Sequence, residues 1–174
     1  SNGSTGSTGG LLIGNTIPGV GTVTVSGVFS GGNQTTLEVT SGEIAVGVGN
    51  TGTLIVSNGG YIDSTGHSAN DTVGLFVGEN GGPPSSHGNV TVTGYDPSSG
   101  DRSEINVEGG SAAVGYSGNG TLTITNGGNV TLSGNDATFV AGYAGDKANS
   151  TGTISIDGAN STLQVAGSDP QYGA

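Results

Sequence analysis

The stretch "GNGTLTITNGGNVTLSG", Gly118 to Gly134, decides the fold, because it joins strict alternation to a near copy elsewhere in the chain. Leu122 and Ile124 alternate with Thr121, Thr123 and Thr125, and after Asn126, Gly127 and Gly128 the alternation resumes at Val130 and Leu132. A period of two puts the aliphatic residues on one face of a strand and the threonines on the other. The earlier segment "GNTGTLIVSNGGYIDSTG", Gly49 to Gly66, carries the same residue types in the same order.

Outward from this pair, a short mark of two apolar residues ending in Gly recurs five times. The copies are Leu11, Ile13, Gly14; Ile44, Val46, Gly47; Leu75, Val77, Gly78; Ala112, Val114, Gly115; and Phe139, Ala141, Gly142. Their glycines are 33, 31, 37 and 27 residues apart, a period at which stacked repeat architectures are expected. A second alternating run follows each mark, opening at Gly21, Gly52, Gly88, Gly120 and Gly152. The third run contains Leu37 and Val39, Ile62 alone, Ile105 and Val107, Val130 and Leu132, and Leu163 and Val165. Copies two and four carry "SNGG" or "TNGG" after the second run where the others carry "SG", "TG" or "DG", so the repeating unit is a pair of turns.

One three-stranded turn cannot bury its few aliphatic residues, whereas stacked turns align them in ladders and give each backbone amide a partner above and below. The pattern predicts an all-β, right-handed parallel β-helix (β-solenoid) of about five coils, a fragment of a longer repeat array. The right hand follows from the preference of parallel crossovers. Residues 1–10 read as a flexible Ser/Thr/Gly lead and residues 11–174 as a single β-helix repeat domain. A β-sandwich is the main alternative, but its strands need not repeat one text in one register.

Composition narrows the partners. Of 174 residues 38 are Gly, 30% are hydrophobic and only 9% are charged, and disorder is excluded by the sustained alternation. The net charge of −11 leaves only Arg102 and Lys147 to face phosphates, which argues against nucleic acid and disfavours anionic membranes and acidic polysaccharides. No apolar run is long enough to span a bilayer, so membrane insertion by this fragment is not expected. Without cysteine the chain has neither a disulfide framework nor a thiolate site.

The succession "AVGYSGNGTLTITNGGNV", Ala113 to Val130, together with "GTISIDGANSTLQV", Gly152 to Val165, resembles the repeats of autotransporter (type V secretion) passenger domains. These are the secreted β-helices of Gram-negative bacteria, and the resemblance covers roughly Leu11 to Val165. It implies a passenger fragment delivered through an outer membrane to the extracellular space or the bacterial cell surface. No signal peptide and no C-terminal barrel accompany the repeats, so an excised fragment is expected. The absence of cysteine fits that family, whose passengers cross the outer membrane largely unfolded.

Pectin-cleaving enzymes also use β-helices, but their chemistry needs clustered carboxylates or a calcium site served by a base. The 13 acids here are scattered, and Arg102 and Lys147 fall in different coils. His67 and His87 each sit inside a Ser/Asn/Gly loop with no Cys or second His nearby and are read as solvated loop residues, not metal ligands. "SGNDATFVAG", Ser133 to Gly142, has a slight likeness to a calcium-binding nonapeptide that is not repeated. No catalytic residue, cofactor or metal ligand is therefore assigned.

Two features point to binding instead. Tyr116 and Tyr143 follow the mark glycines of consecutive coils and are expected to stack on the outside, as a ladder or a flat platform for a sugar or a partner's side chain. Copy three inserts "YDPSSGDRSE", Tyr95 to Glu104, where copy five needs only "ANST", Ala159 to Thr162. Insertions in solenoids map to loops that often bind, which selects Tyr95, Asp96, Asp101 and Arg102. The expected function is a non-enzymatic adhesin acting in cell adhesion, self-association or biofilm formation, with a host-cell surface protein, a glycan or a like molecule as partner. A passenger released as a virulence factor or signalling ligand for a host receptor is the alternative, ahead of a polysaccharide-degrading enzyme.

Overall fold

A computed structural model describes residues 10–15, 18–29, 31–65, 73–79, 86–134, 137–142 and 150–167. The expected lead therefore lies outside the described residues save Gly10, which already belongs to the first strand. Coil one consists of β1 (Gly10–Ile13), β2 (Val20–Ser26) and β3 (Thr36–Val39), and coil two of β4 (Glu43–Val46), β5 (Thr51–Ser57) and β6 (Tyr61–Ser64). Coil three is β7 (Val73–Val77), β8 (His87–Thr93) and β9 (Glu104–Glu108). Coil four is β10 (Ser111–Val114), β11 (Asn119–Thr125) and β12 (Asn129–Gly134), and coil five β13 (Phe139–Ala141), β14 (Thr151–Asp157) and β15 (Thr162–Gly167).

Every third strand pairs in parallel, giving three five-stranded sheets in the orders β1-β4-β7-β10-β13, β2-β5-β8-β11-β14 and β3-β6-β9-β12-β15. The chain is a parallel β-helix of five coils, as the repeated text predicts. The register stacks like on like: Val23, Leu54, Val90, Leu122 and Ile154 form one inward ladder of the second sheet, and Val25, Val56, Val92, Ile124 and Ile156 the next. The third sheet adds Leu37, Ile62, Ile105, Val130 and Leu163. Each fully buried aliphatic side chain contributes about 1.5–3 kcal/mol, so the core's strength comes from the number of rungs.

Where the third run of copy two offers Ile62 alone, the next inward rung is Ser64, fully buried between Val39 and Val107. A second departure concerns the first sheet, whose middle residues Leu12, Ala45, Phe76, Ala113 and Val140 form an apolar ladder on the outer face. Its signal was in the marks themselves, since "LLI", "IAV", "LFV", "AAV" and "FVA" are apolar at all three positions. The close approach of successive coils explains the glycine at the second position of each second-sheet strand. A Cβ on Gly120 would lie 2.3 Å from the Gly115 nitrogen and 2.3 Å from the Val77 carbonyl oxygen. The stack is open at coil five, where Ile156 and Val165 are 48% and 45% exposed although their counterparts Ile124 and Leu132 are buried.

Candidate functional site

The corner between the second and third sheets carries the insertion. Coils two and four turn it in three residues, Asn58-Gly59-Gly60 and Asn126-Gly127-Gly128, with Asn58 and Asn126 both in the left-handed region. Asn tolerates that region better than most side chains, and Gly follows it at no steric cost. Coil three instead takes residues 94–103, coil one residues 27–35 and coil five only residues 158–161. The excursion is thus shared by coils one and three, which the comparison of copies three and five alone did not reveal. Each is a small hairpin with one antiparallel bridge, Val28 to Gln34 and Tyr95 to Arg102.

The four residues selected from this loop divide by role. Asp96 and Asp101 build it. The Asp96 N–H donates to the Asp101 carbonyl at 2.7 Å, while the Asp96 Oδ1 accepts from the Ser98 hydroxyl and from the Ser98 and Ser99 N–H groups at 2.8 and 3.0 Å. The Ser98 hydroxyl first, and then these amides, hold the Asp96 carboxyl below its ordinary pKa. Tyr95 and Arg102 face outward from the hairpin and line a groove of about 520 Å³ with Gly100, Gly127, Ala159, Asn160 and Thr162. Tyr95 is 56% exposed.

The register explains how the groove arises. Two residues before the paired Thr36, Tyr61, Glu104, Asn129 and Thr162 stand Gln34, Gly59, Arg102, Gly127 and Asn160, one from each coil. Gln34 Nε2 donates to the carbonyl of Gly59 at 3.0 Å and to that of Arg102 at 3.0 Å, so it reaches the next coil and the one after. Arg102 Nε makes the first of these bonds, to the Gly127 carbonyl at 2.9 Å, but its Nη2 is shut off from solvent without an acceptor. Ser103 and Ser161 lock the same corner at their own levels, each accepting from the glycine N–H below, Gly59 and Gly127, at 3.1 Å.

Packing differs accordingly. A Cβ on Gly59 would meet Val28 Cγ1 and Asp96 Cβ at 3.1 Å, because the hairpins of coils one and three close over it. A Cβ on Gly127 would find only Tyr95 Cδ1 at 3.6 Å and the Ala159 carbonyl at 3.8 Å. Tyr95 and Arg102 stand out in the sequence, whereas Gly127, Ala159, Asn160 and Thr162 as walls, and the coil-one hairpin with its 63% exposed Phe29, do not.

Tyr116 lies at another corner, between β10 and β11. Tyr116 meets Phe76 edge to face, with ring centroids 5.0 Å apart at 63°, and so belongs to the outer apolar ladder of the first sheet. Its expected neighbour Tyr143 lies outside the described residues, as do His67 and Lys147. His87 opens β8 as an exposed strand residue, contrary to its reading as a loop residue. Several acids serve the outer ladder of the third sheet: Asp63 and Glu108 accept from Asn106 Nδ2 at 3.0 and 3.2 Å, and Glu104 accepts from Asn129 Nδ2 at 2.9 Å. Glu79 is the exception. Burial first, and then the charge of Glu43, push its carboxyl up to about 7, and its Oε2 has no partner.

Among the described residues no group of three or more His, Cys, Asp or Glu side chains could hold a metal ion. Comparison with family models, curated proteins and solved structures returns no match.

Proposed function

We propose that this chain is a piece of a non-enzymatic bacterial adhesin of the autotransporter passenger type, exposed at the cell surface or outside the cell. The rigid coil acts as a spacer, and contact is made where the repeat is interrupted. One observation carries this reading: the corner at coils three to five presents a half-exposed aromatic and a guanidinium in a groove, on a scaffold whose other side chains largely repeat. Apolar surface beside a few convergent polar groups is the usual composition of a recognition site. The acids of the third sheet favour structure over catalysis, because they are engaged in hydrogen bonds with ladder amides.

The test is retention of the purified chain on host cells, on immobilised surface proteins and on glycan arrays, alongside its mass as a function of concentration. Retention by one partner, or concentration-dependent growth in mass, is expected, and both should fall in a Tyr95→Ala/Arg102→Ala double variant. A monomer retained by nothing would sink the adhesive reading.

A further inference from the structure

We infer that coils one to three are braced into one unit by a side chain that skips a coil, so that the stack opens from coil five and stops at coil three. In a solenoid each repeat ordinarily touches only its neighbours, and the ends open one repeat at a time. The corner between the second and third sheets departs from that rule twice. The Gln34 amide of coil one gives one hydrogen to the Gly59 carbonyl of coil two and the other to the Arg102 carbonyl of coil three, each at 3.0 Å. The hairpins of coils one and three also close over the turn of coil two, where a Cβ on Gly59 would stand 3.1 Å from both Val28 Cγ1 and Asp96 Cβ.

The turn between them is held from both sides. Its Gly59 carbonyl accepts from Gln34, while its Gly59 N–H donates to Ser103 Oγ, which itself donates to the Thr93 carbonyl at 2.7 Å. Coil one therefore cannot leave without breaking a bond to coil three as well as its ladder to coil two. Coil five has no such tie. Arg102 Nε holds the Gly127 carbonyl of coil four, and of the described residues at this corner none bonds coil three to coil five. Coil five is also the less covered end, with Ile156 48% exposed against 5% for Val25, its counterpart in coil one.

This boundary falls across the groove. Tyr95 and Arg102 belong to braced coil three, whereas Gly127, Ala159, Asn160 and Thr162 belong to coils four and five, so opening of those coils takes the groove apart. Under the adhesive reading, on which this use of the brace rests, the contact corner exists only while coil five is closed.

The test is hydrogen exchange of the whole chain under native conditions, read strand by strand through the second sheet. The protected amides of β2, β5 and β8 should exchange together as the slowest class, and those of β14 fastest. Gln34→Met, which keeps the length of the side chain and removes both donors, should speed β2 about tenfold. It should leave β14 within about twofold. Arg102→Met removes a bond that reaches only the next coil, and should speed β11 while leaving β2 within about twofold. Equal rates for β2 and β14 in the parent chain, an unchanged β2 in Gln34→Met, or a β2 sped as much by Arg102→Met would overturn the brace. The expected classes in a chain that no partner retains would keep the brace and defeat the adhesive reading alone.

Discussion

The corner spanning coils one to three and the corner spanning coils three to five use the same register and nearly the same bonds, yet one is closed and the other is a groove. Gln34 and Arg102 each tie their hairpin to the tight turn of the next coil, and Ser103 and Ser161 each hold the glycine amide of that turn. What differs is the third partner, a ten-residue hairpin in coil three and a four-residue link in coil five. The contrast teaches that in a β-helix the length of a corner decides whether the tight turn before it is covered by the protein's own hairpin or left beside an open groove. Conservative repetition of the strands makes such a local change tolerable, because the ladders beneath do not depend on it.

The contrast between closed and open parts can be sharpened by paired substitutions. The largest effect belongs to the core. Leu122→Ala, in fully covered coil four, should cost about 2–5 kcal/mol, while Ile156→Ala, in open coil five, should cost roughly 1 kcal/mol, both measured by urea unfolding. Equal losses would mean that coil five is covered in solution by something else. Next come the two corner glycines, both at positive φ. An alanine there meets about 1–2 kcal/mol of backbone strain in either place, and Gly59→Ala should add roughly 1 kcal/mol for its contacts with Val28 and Asp96 that Gly127→Ala escapes. If Gly127→Ala proved the worse of the two, the groove would not be open.

A third effect is a pH dependence at the corner between the first and second sheets. The folded-state pKa of Glu79 is raised, so its contribution to stability is fully present below the ordinary value of 4.5 and is lost as pH rises through about 7. Stability of the native chain should therefore fall across that window relative to a Glu79→Gln variant. Parallel curves for the two proteins would show that Glu79 is solvated.

Much of this architecture was legible because a period of two, repeated at intervals near thirty residues, leaves few ways to bury Leu122, Ile124 and their copies. All fifteen strands fall on the runs read from the text, including the weak third run around Ile62. Part of the corner was legible as well, since Tyr95 and Arg102 stood out as an aromatic and a cation in an unusually long interruption. The rest was hidden for a physical reason. Gly127, Ala159, Asn160 and Thr162 are unremarkable in their own segments and become walls only through the register, which sets residues some 25 to 60 positions later beside the coil-three hairpin. The outer ladder through Phe76 and Tyr116 was less legible, because a run of three apolar residues shows no alternation to say that its middle residue faces outward.

The claim at the centre of this account is that contact is made at the interrupted corner while the repeated text only supports it. The most direct measurement compares partner retention by two variants whose folding is first confirmed by circular dichroism. In one, residues 95–102 are shortened to the Ala-Asn of coil five; in the other, the outward ladder residues Thr121 and Thr123 both become Val. The account predicts that shortening the corner lowers retention at least about tenfold and that the ladder variant binds as the parent does. Retention lost with the threonines and kept with the shortened corner would contradict it and move the contact surface to the ladder.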